Sequence, residues 1–175
     1  MAMSEKSIIQ KAKVGDADAF CRIYEQYKDR LFRYAFYKLG NRQDAEDAVA
    51  ECVLSGYRQL GQLRDETAFP AWIFRILSGV CAKLIAKQME RRNEATLDFI
   101  TAENATADPA DMVALRVDLM QALERLAADE KEIVLLSLVA GFSSKEIAQM
   151  TGSRPGTVRS KQARSLSKMR AFLEQ

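Results

Sequence analysis

The chain has 175 residues, of which 48% are hydrophobic and 29% are charged, so it can build a core and remain soluble as one domain or two small ones. It contains no histidine, which excludes His-based catalytic triads, His-ligated zinc and histidine acid–base chemistry. No P-loop or dinucleotide fingerprint occurs. We therefore expect a protein that is not an enzyme and that holds no cofactor and no metal.

The termini and cysteines indicate a cytoplasmic protein. No apolar run approaches the roughly 20 residues that a membrane span needs, and the N-terminus lacks a signal-peptide core, so we expect no membrane insertion. Cys21, Cys52 and Cys81 are odd in number, far apart and set in apolar helical patterns. We interpret them as reduced core residues.

Charge divides the chain into three parts. Residues 1–92 and 113–175 carry an excess of basic residues, whereas residues 93–112 carry five acids and no base. This pattern predicts two helical domains, residues 1–92 and 113–175, joined by a flexible acidic linker, with a nucleic-acid partner for both ends. The predicted fold class is all-α.

Apolar residues recur at intervals of three and four in the N-terminal part, which predicts helices over residues 18–39, 43–60 and 69–92. Gly40 and Asn41 end the first helix, and residues 61–67 form a polar loop between the second and third.

After the linker, Asp108 and Pro109 are a helix start signal. Further helices are predicted near residues 113–126 and 129–139. Ser143 with Glu146 predicts a capping box at the start of the next helix.

The segment from residue 143 to residue 170 is typical of a helix-turn-helix. Ala148 suits a close helix crossing, Gly152 suits a turn that needs positive φ, and Val158 places an apolar residue back on the first helix. From residue 154 to residue 170 there are six basic residues and no acid, which favours a phosphate-facing surface. The alternative is an ordinary helical hairpin with a basic face.

These motifs together resemble a bacterial RNA polymerase sigma factor of the sigma-70 family, in its extracytoplasmic-function (ECF) type. In the N-terminal half, DAFCRIYEQYKDRLFRYAFYKLG, NRQDAEDAVAECVLSGYRQL and FPAWIFRIL are similar to sigma region 2. In the C-terminal half, the segment from QALERL to SLSKMR, which contains GTVRSK, is similar to sigma region 4. The resemblance covers nearly the whole chain and implies a factor that directs promoter-specific transcription initiation and assists strand opening.

The resemblance also implies partners: the clamp of the largest subunit of core RNA polymerase, the flap region of that enzyme, promoter DNA and, as is common in the family, an anti-sigma factor. Residues implied to bind core polymerase are Asp44, Glu46, Asp47, Glu51 and Arg58. An alternative role for the acids is to stabilise the helix N-terminus by their charge.

For the minus-ten promoter element, the resemblance implies the polar loop and the start of the third helix. The implied residues are Leu63, Arg64, Phe69, Trp72, Arg75, Lys83, Lys87 and Arg91, with Phe74 as a further ring. Aromatic residues at helical spacing are more often core, which is the alternative for Trp72. Many family members have Asn and Asp where this chain has Gly79 and Lys83, which leaves the minus-ten sequence preference open.

For the minus-thirty-five element, the resemblance implies Arg154, Thr157, Arg159, Ser160, Lys161, Arg164 and Lys168 on the recognition helix. Members commonly have a hydroxyl residue where this chain has Arg154, ahead of Pro155. Either Ser153 caps the helix, or the helix end relies on a DNA phosphate.

Two questions stay open from the sequence. The acidic linker either mimics a nucleic acid in the polymerase RNA path or is a generic solvated tether. The alternative functions are a conventional helix-turn-helix transcriptional regulator with an N-terminal sensing or dimerisation domain, and a helical adaptor that binds only proteins.

Overall fold

A computed structural model describes residues 4–94 and 110–174 of the chain. Within those ranges the backbone forms helices and no strand, which confirms the all-α fold class. The α-helices are α1 (Glu5–Lys13), α2 (Ala17–Leu39), α3 (Arg42–Gln59), α4 (Phe69–Glu94), α5 (Ala110–Glu124), α6 (Ala128–Val134), α7 (Ser144–Thr151) and α8 (Pro155–Leu173). The predicted linker lies outside the described residues except at its two ends.

Helix α1 was not predicted from the sequence. Ser4 caps it, and its apolar residues Ile8, Ile9 and Ala12 are buried. The helix packs mainly on α2 and also touches the segment between α3 and α4. Its apolar stripe occupies only about one turn and a half, which is too short to give a clear period.

The predicted junction between the first two long helices is confirmed. Gly40 adopts a left-handed conformation with φ 86°, and its N–H donates to the carbonyl of Phe36. The Asn41 side chain then accepts a hydrogen bond from the N–H of Asp44 and caps α3. Only a residue without a Cβ adopts that φ readily, so α2 ends there and α3 folds back against it.

Helix α4 completes the N-terminal bundle. Phe74, Leu77 and Cys81 are fully buried against α2 and α3. By length and composition Glu66–Arg91 also qualifies as a membrane-span candidate, the one found in the described residues. One such helix is weak evidence for a membrane span, because core helices of soluble proteins pass the same test. Isolated basic residues interrupt its apolar runs.

The cysteine prediction is confirmed for two positions and wrong for the third. Cys52 and Cys81 are buried, and burial raises the pKa of each thiol to about 12. Cys21 is exposed. It follows the buried Phe20 on α2, but the next residue of the apolar stripe is Ile23, so Cys21 falls on the solvent side.

In the C-terminal part the helix predicted over residues 129–139 is divided. Helix α6 is α-helical, and Leu135–Val139 continues it as one π-helical turn in which the N–H of Ala140 donates to the carbonyl of Leu135 at 3.0 Å. The wider turn carries Leu135 and Leu136 into the core. Gly141, at φ 79°, follows the turn and ends the helical segment.

The two halves contact each other directly. Helix α2 packs on the π-helical turn and α4 packs on α7. Side chains of α2 and α4 also bind Glu132 of α6. The Phe74 and Phe142 rings pack edge to face with centroids 5.3 Å apart, and the Lys131 ammonium donates to the carbonyl of Lys38 at 3.2 Å. Burial in this contact lowers the pKa of Lys131.

Candidate nucleic-acid and polymerase interfaces

Helices α7 and α8 form the helix-turn-helix that the sequence predicted. Gly152 takes φ 66°, and its N–H and that of Ser153 both donate to the carbonyl of Ala148. Ile147 and Val158 are fully buried where the two helices meet. The Ser143–Glu146 capping box is also present. Local chemistry therefore sets the turn, as expected.

The start of α8 carries no side-chain cap. Arg154 is the N-cap residue and makes no capping hydrogen bond, and Pro155 occupies the first helical position. Ser153 therefore does not cap the helix in this conformation. The first N–H groups of α8 are left for solvent or an anion, at the end of the helix where the macrodipole favours negative charge.

The side of α8 opposite Val158 is made of small residues. They follow one another at intervals of four, three and four residues: Gly156, Ser160, Ala163 and Ser167. Such spacing places them on one face. Exposed Arg159 and Arg164 lie on either side of that face. A helix surfaced in this way can approach a groove closely while the flanking arginines reach its walls.

The structure divides the predicted minus-thirty-five set in two. Lys161 forms an ion pair with Asp129, and the Lys168 ammonium lies 2.7 Å from a carboxylate oxygen of Glu130. Hydrogen bonds from these lysines lower the pKa of Asp129 and of Glu130. The remaining residues are exposed and make no ion pair with an acid in the described part of the chain: Arg154, Thr157, Arg159, Ser160 and Arg164.

The predicted minus-ten surface is partly buried. Leu63 and Phe69 are 6% and 3% exposed, and Phe74 is fully buried between the rings of Tyr34 and Phe142. Because the side chains of these three residues form the core beneath the surface, the structure does not support them as direct DNA contacts. Trp72 is only partly buried, and its ring centroid lies 5.8 Å from that of Phe69.

Basic residues on α4 extend the surface that begins at Trp72. Lys83 and Lys87 follow Trp72 by 11 and 15 residues, a spacing that keeps all three on one side of the helix. The exposed basic residues of this segment, which make no ion pair among the described residues, are Arg64, Arg75, Lys83, Lys87 and Arg91. Gly79 is exposed, and a Cβ there would meet nothing within 4 Å, so no neighbour requires a glycine.

The acids at the start of α3 have different surroundings. Asp44 is partly buried and its carboxylate accepts hydrogen bonds from the side chains of Asn41 and Gln88, both at 2.5 Å. Glu46 pairs with Arg42 at 2.7 Å. The Asp44 carboxylate therefore joins the start of α3 to α4 through Gln88.

The other predicted polymerase-binding residues share one outward side of α3. Asp47, Glu51 and Arg58 are exposed, and their spacing of four and seven residues aligns them on the helix. Leu54, 52% exposed, lies beside them. Glu46 falls on the other edge of the helix and lines a groove with Tyr24 and Phe32.

Residues that the sequence did not single out also shape these surfaces. Lys13 of α1 binds Glu66 in the loop before α4, and the Gln162 amide donates to the Ser137 hydroxyl at 2.7 Å beneath α8. Both contacts join residues that are distant in sequence, so no local pattern signals them. No group of metal-ligating side chains that could hold an ion occurs in residues 4–94 or 110–174.

Comparison with known proteins gives matches to both halves. A model of Sigma-70 region 2 matches residues 23–91, and a model of Sigma-70, region 4 matches residues 116–169. The ECF RNA polymerase sigma factor BldN of Streptomyces coelicolor is 30% identical over 95% of this chain and 64% of its own length. SigM of Mycobacterium tuberculosis, another ECF sigma factor, is 25% identical over 97% of this chain and 85% of its own length.

A solved structure, that of CnrH in complex with the cytosolic domain of CnrY, shares the fold, with a TM-score of 0.76 and 22% identity over 97% of both chains. The two family models together cover most of the chain and match in the order that the sequence motifs predicted. The chain belongs to the sigma-70 family of bacterial RNA polymerase sigma factors, in the ECF group.

Proposed function

We propose that this protein binds core RNA polymerase in the cytoplasm and directs it to promoters, with region 2 on the minus-ten element and region 4 on the minus-thirty-five element. No covalent step is required of it. The observation that carries the proposal is the surface of α8, where small outward residues are flanked by arginines without acidic partners in the described structure. The matches to both sigma regions support it.

For the minus-thirty-five element, the recognition surface consists of Arg154, Thr157, Arg159, Ser160 and Arg164. Lys161 and Lys168 join it only after they release their acidic partners on α6 and bind DNA phosphates instead. A phosphate contact weakens binding to all sequences when it is removed, whereas a base contact relaxes specificity at one position. The uncapped start of α8 is a further place for a phosphate.

For the minus-ten element, the DNA-facing set consists of Arg64, Trp72, Arg75, Lys83, Lys87 and Arg91. Leu63 and Phe69 support it from below. A polar loop beside an aromatic surface suits an unpaired base, because stacking on a ring replaces the stacking lost when strands separate. The basic residues of α4 then follow the backbone.

For core polymerase, the docking surface consists of Asp47, Glu51 and Arg58, with Glu46 at its edge and Asp44 holding the start of α3. We place the domain boundaries at residues 1–92 and 113–175, with residues 93–112 as the acidic linker. The flap region of the polymerase and an anti-sigma factor are further proposed partners, and both rest on the family resemblance.

The proposal is tested by mixing the full chain with bacterial core polymerase and a genomic promoter library and sequencing the transcripts. Specific initiation that depends on the chain supports it. A chain that binds a duplex site without polymerase, as a dimer on paired half-sites, is instead a conventional regulator.

Core binding is tested separately by reversing the charge of Asp47 and Glu51 together, both exposed on α3. Retention on immobilised core polymerase should fall while the circular dichroism melt stays unchanged. Unchanged retention would place the polymerase contact elsewhere.

A further inference from the structure

The loop ahead of α4 contains two adjacent acids, Asp65 and Glu66, although its neighbourhood is proposed to meet DNA. Asp65 is satisfied within the loop, because its carboxylate accepts from the N–H of Thr67 at 2.9 Å and from the Thr67 hydroxyl at 2.7 Å. These hydrogen bonds lower the pKa of Asp65. This acid therefore shapes the turn and is not left to face an anion.

Glu66 is held by a residue 53 positions earlier. The ammonium of Lys13, at the end of α1, donates to its carboxylate at 2.9 Å. The two side chains are only 21% and 14% exposed, which makes this ion pair more enclosed than most of the others in the described structure. The Lys13 hydrogen bond lowers the pKa of Glu66, which favours the carboxylate form that pairs with the ammonium.

The other end of α1 supports the aromatic side of the same surface. Glu5 accepts a hydrogen bond of 2.5 Å from the hydroxyl of Tyr27. The ring of Tyr27 packs edge to face on Phe69 with centroids 5.4 Å apart, and Phe69 in turn packs on Trp72. Burial is the main cause that raises the pKa of Tyr27, which therefore stays protonated and can donate.

Between these two ends α1 is anchored to the core through Ile8, Ile9 and Ala12. One helix therefore contacts the loop through Lys13 and, through its Glu5, supports the row of rings that leads from Tyr27 by way of Phe69 to Trp72. A loop that receives an unpaired base gains affinity when its bound shape exists beforehand, because less ordering is needed on binding.

We propose that α1 is a brace for the minus-ten surface and that Lys13 is a positioning residue for promoter melting, acting through Glu66. Lys13 fixes the loop between Arg64 and Trp72 and neutralises the charge of Glu66 within it. This inference rests on the proposed function, and it adds a role for a helix that precedes the region 2 match at residue 23.

The test uses holoenzyme assembled from full-length chain and core polymerase, with the variants Lys13→Glu, Glu66→Lys and the double exchange. Strand opening is measured by permanganate reactivity of minus-ten thymines, and specificity by competition between promoters altered in one element. We expect each single reversal to reduce strand opening and minus-ten discrimination about fivefold, which is the upper range for the loss of an ion pair near the surface. The double exchange should restore most of the strand opening and most of the discrimination.

Discrimination at the minus-thirty-five element and retention on core polymerase should not change. The matched control is the more exposed pair Lys28 and Glu25, whose side-chain atoms are 2.5 Å apart on α2. Reversing Lys28 and Glu25 singly should leave opening unchanged.

Three results would overturn the brace: opening unaffected by both single reversals, no recovery in the exchange, or equal losses at both promoter elements. A wild-type chain that supports no specific initiation with core polymerase would overturn the proposed function instead.

Discussion

The hydroxyl of Tyr34 donates to the carboxylate of Glu132, and its oxygen lies 2.7 Å from each carboxylate oxygen. The two residues are 98 positions apart, one in each half of the chain. The Ser78 hydroxyl donates to the same carboxylate at 2.9 Å, and the Lys38 ammonium forms an ion pair with it. Tyr34 is fully buried, so one acid of the C-terminal half is held by three side chains of the N-terminal half.

Replacing Glu132 with Gln should destabilise the protein by about 1–3 kcal/mol, because it leaves the mostly buried Lys38 ammonium without a counter-charge. Urea unfolding followed by circular dichroism measures the change. Adding Lys38→Met removes the unpaired charge, so the double variant should recover part of the loss. A double variant as unstable as the sum of the two single variants would contradict this account.

Alkaline pH should weaken the same contact. Burial, followed by the charge of Glu132, raises the pKa of Tyr34 well above its ordinary value of 10.0. The folded protein therefore keeps the proton more firmly than the unfolded chain, so the contribution of Tyr34 is complete below about pH 10 and is lost as the pH rises further.

The measurement is the difference in unfolding free energy between wild type and Tyr34→Phe, followed from about pH 8 to about pH 11. The difference should shrink as the pH rises. Burial raises the pKa of Tyr27 as well, and its contribution is present in both proteins and cancels. A difference that stays constant over this range would show that Tyr34 ionisation is not linked to folding.

Alanine substitution should have different effects on stability at two glycines in and after the turn of the helix-turn-helix. Gly152 has φ 66°, whereas Gly156 lies in the first turn of α8, and a Cβ would meet nothing within 4 Å at either position. Gly152→Ala should lower stability by about 1–2 kcal/mol through backbone strain. Gly156→Ala should be neutral or stabilising by a few tenths of a kcal/mol. Thermal unfolding of both variants measures the two changes in stability. Equal losses of stability would argue against backbone strain at Gly152.

Arg159 and Lys168 should differ in their contribution to promoter binding. Lys168 must leave Glu130 before it reaches a phosphate, whereas Arg159 has no acidic partner among residues 4–94 and 110–174. We expect Arg159→Ala to cost about 1–3 kcal/mol of promoter affinity and Lys168→Ala less than about 1 kcal/mol. Holoenzyme affinity measured over a salt series tests this.

Glu130→Gln is the complementary variant. It frees Lys168 and should raise affinity for all promoter sequences alike, with a steeper dependence on salt. An affinity unchanged by Glu130→Gln would mean that Lys168 does not reach DNA.

What the sequence determined alone is local. The Gly40–Asn41 junction, the Ser143 capping box and the positive φ of Gly152 depend on residues a few positions apart, and all three are confirmed. Helix periods predicted the long helices but not α1 or the π-helical turn after α6. The uncapped Arg154 ahead of Pro155 also follows from side-chain chemistry. The order of the motifs along the chain was sufficient to identify the family.

Tertiary structure decided which side chains are exposed and can contact DNA or a partner protein. Phe69 and Phe74 carry rings that could stack on bases, yet both are buried, because Tyr27 packs on Phe69 and both Tyr34 and Phe142 pack on Phe74. Leu63 is buried as well. Helix α1 is too short for its period to be clear, and its role depends on Lys13 meeting Glu66 across 53 residues. Likewise, no local pattern directs Tyr34 to Glu132. Contacts of this kind form only when packed helices bring distant residues together, so the periodicity and capping that determine the helices cannot specify them.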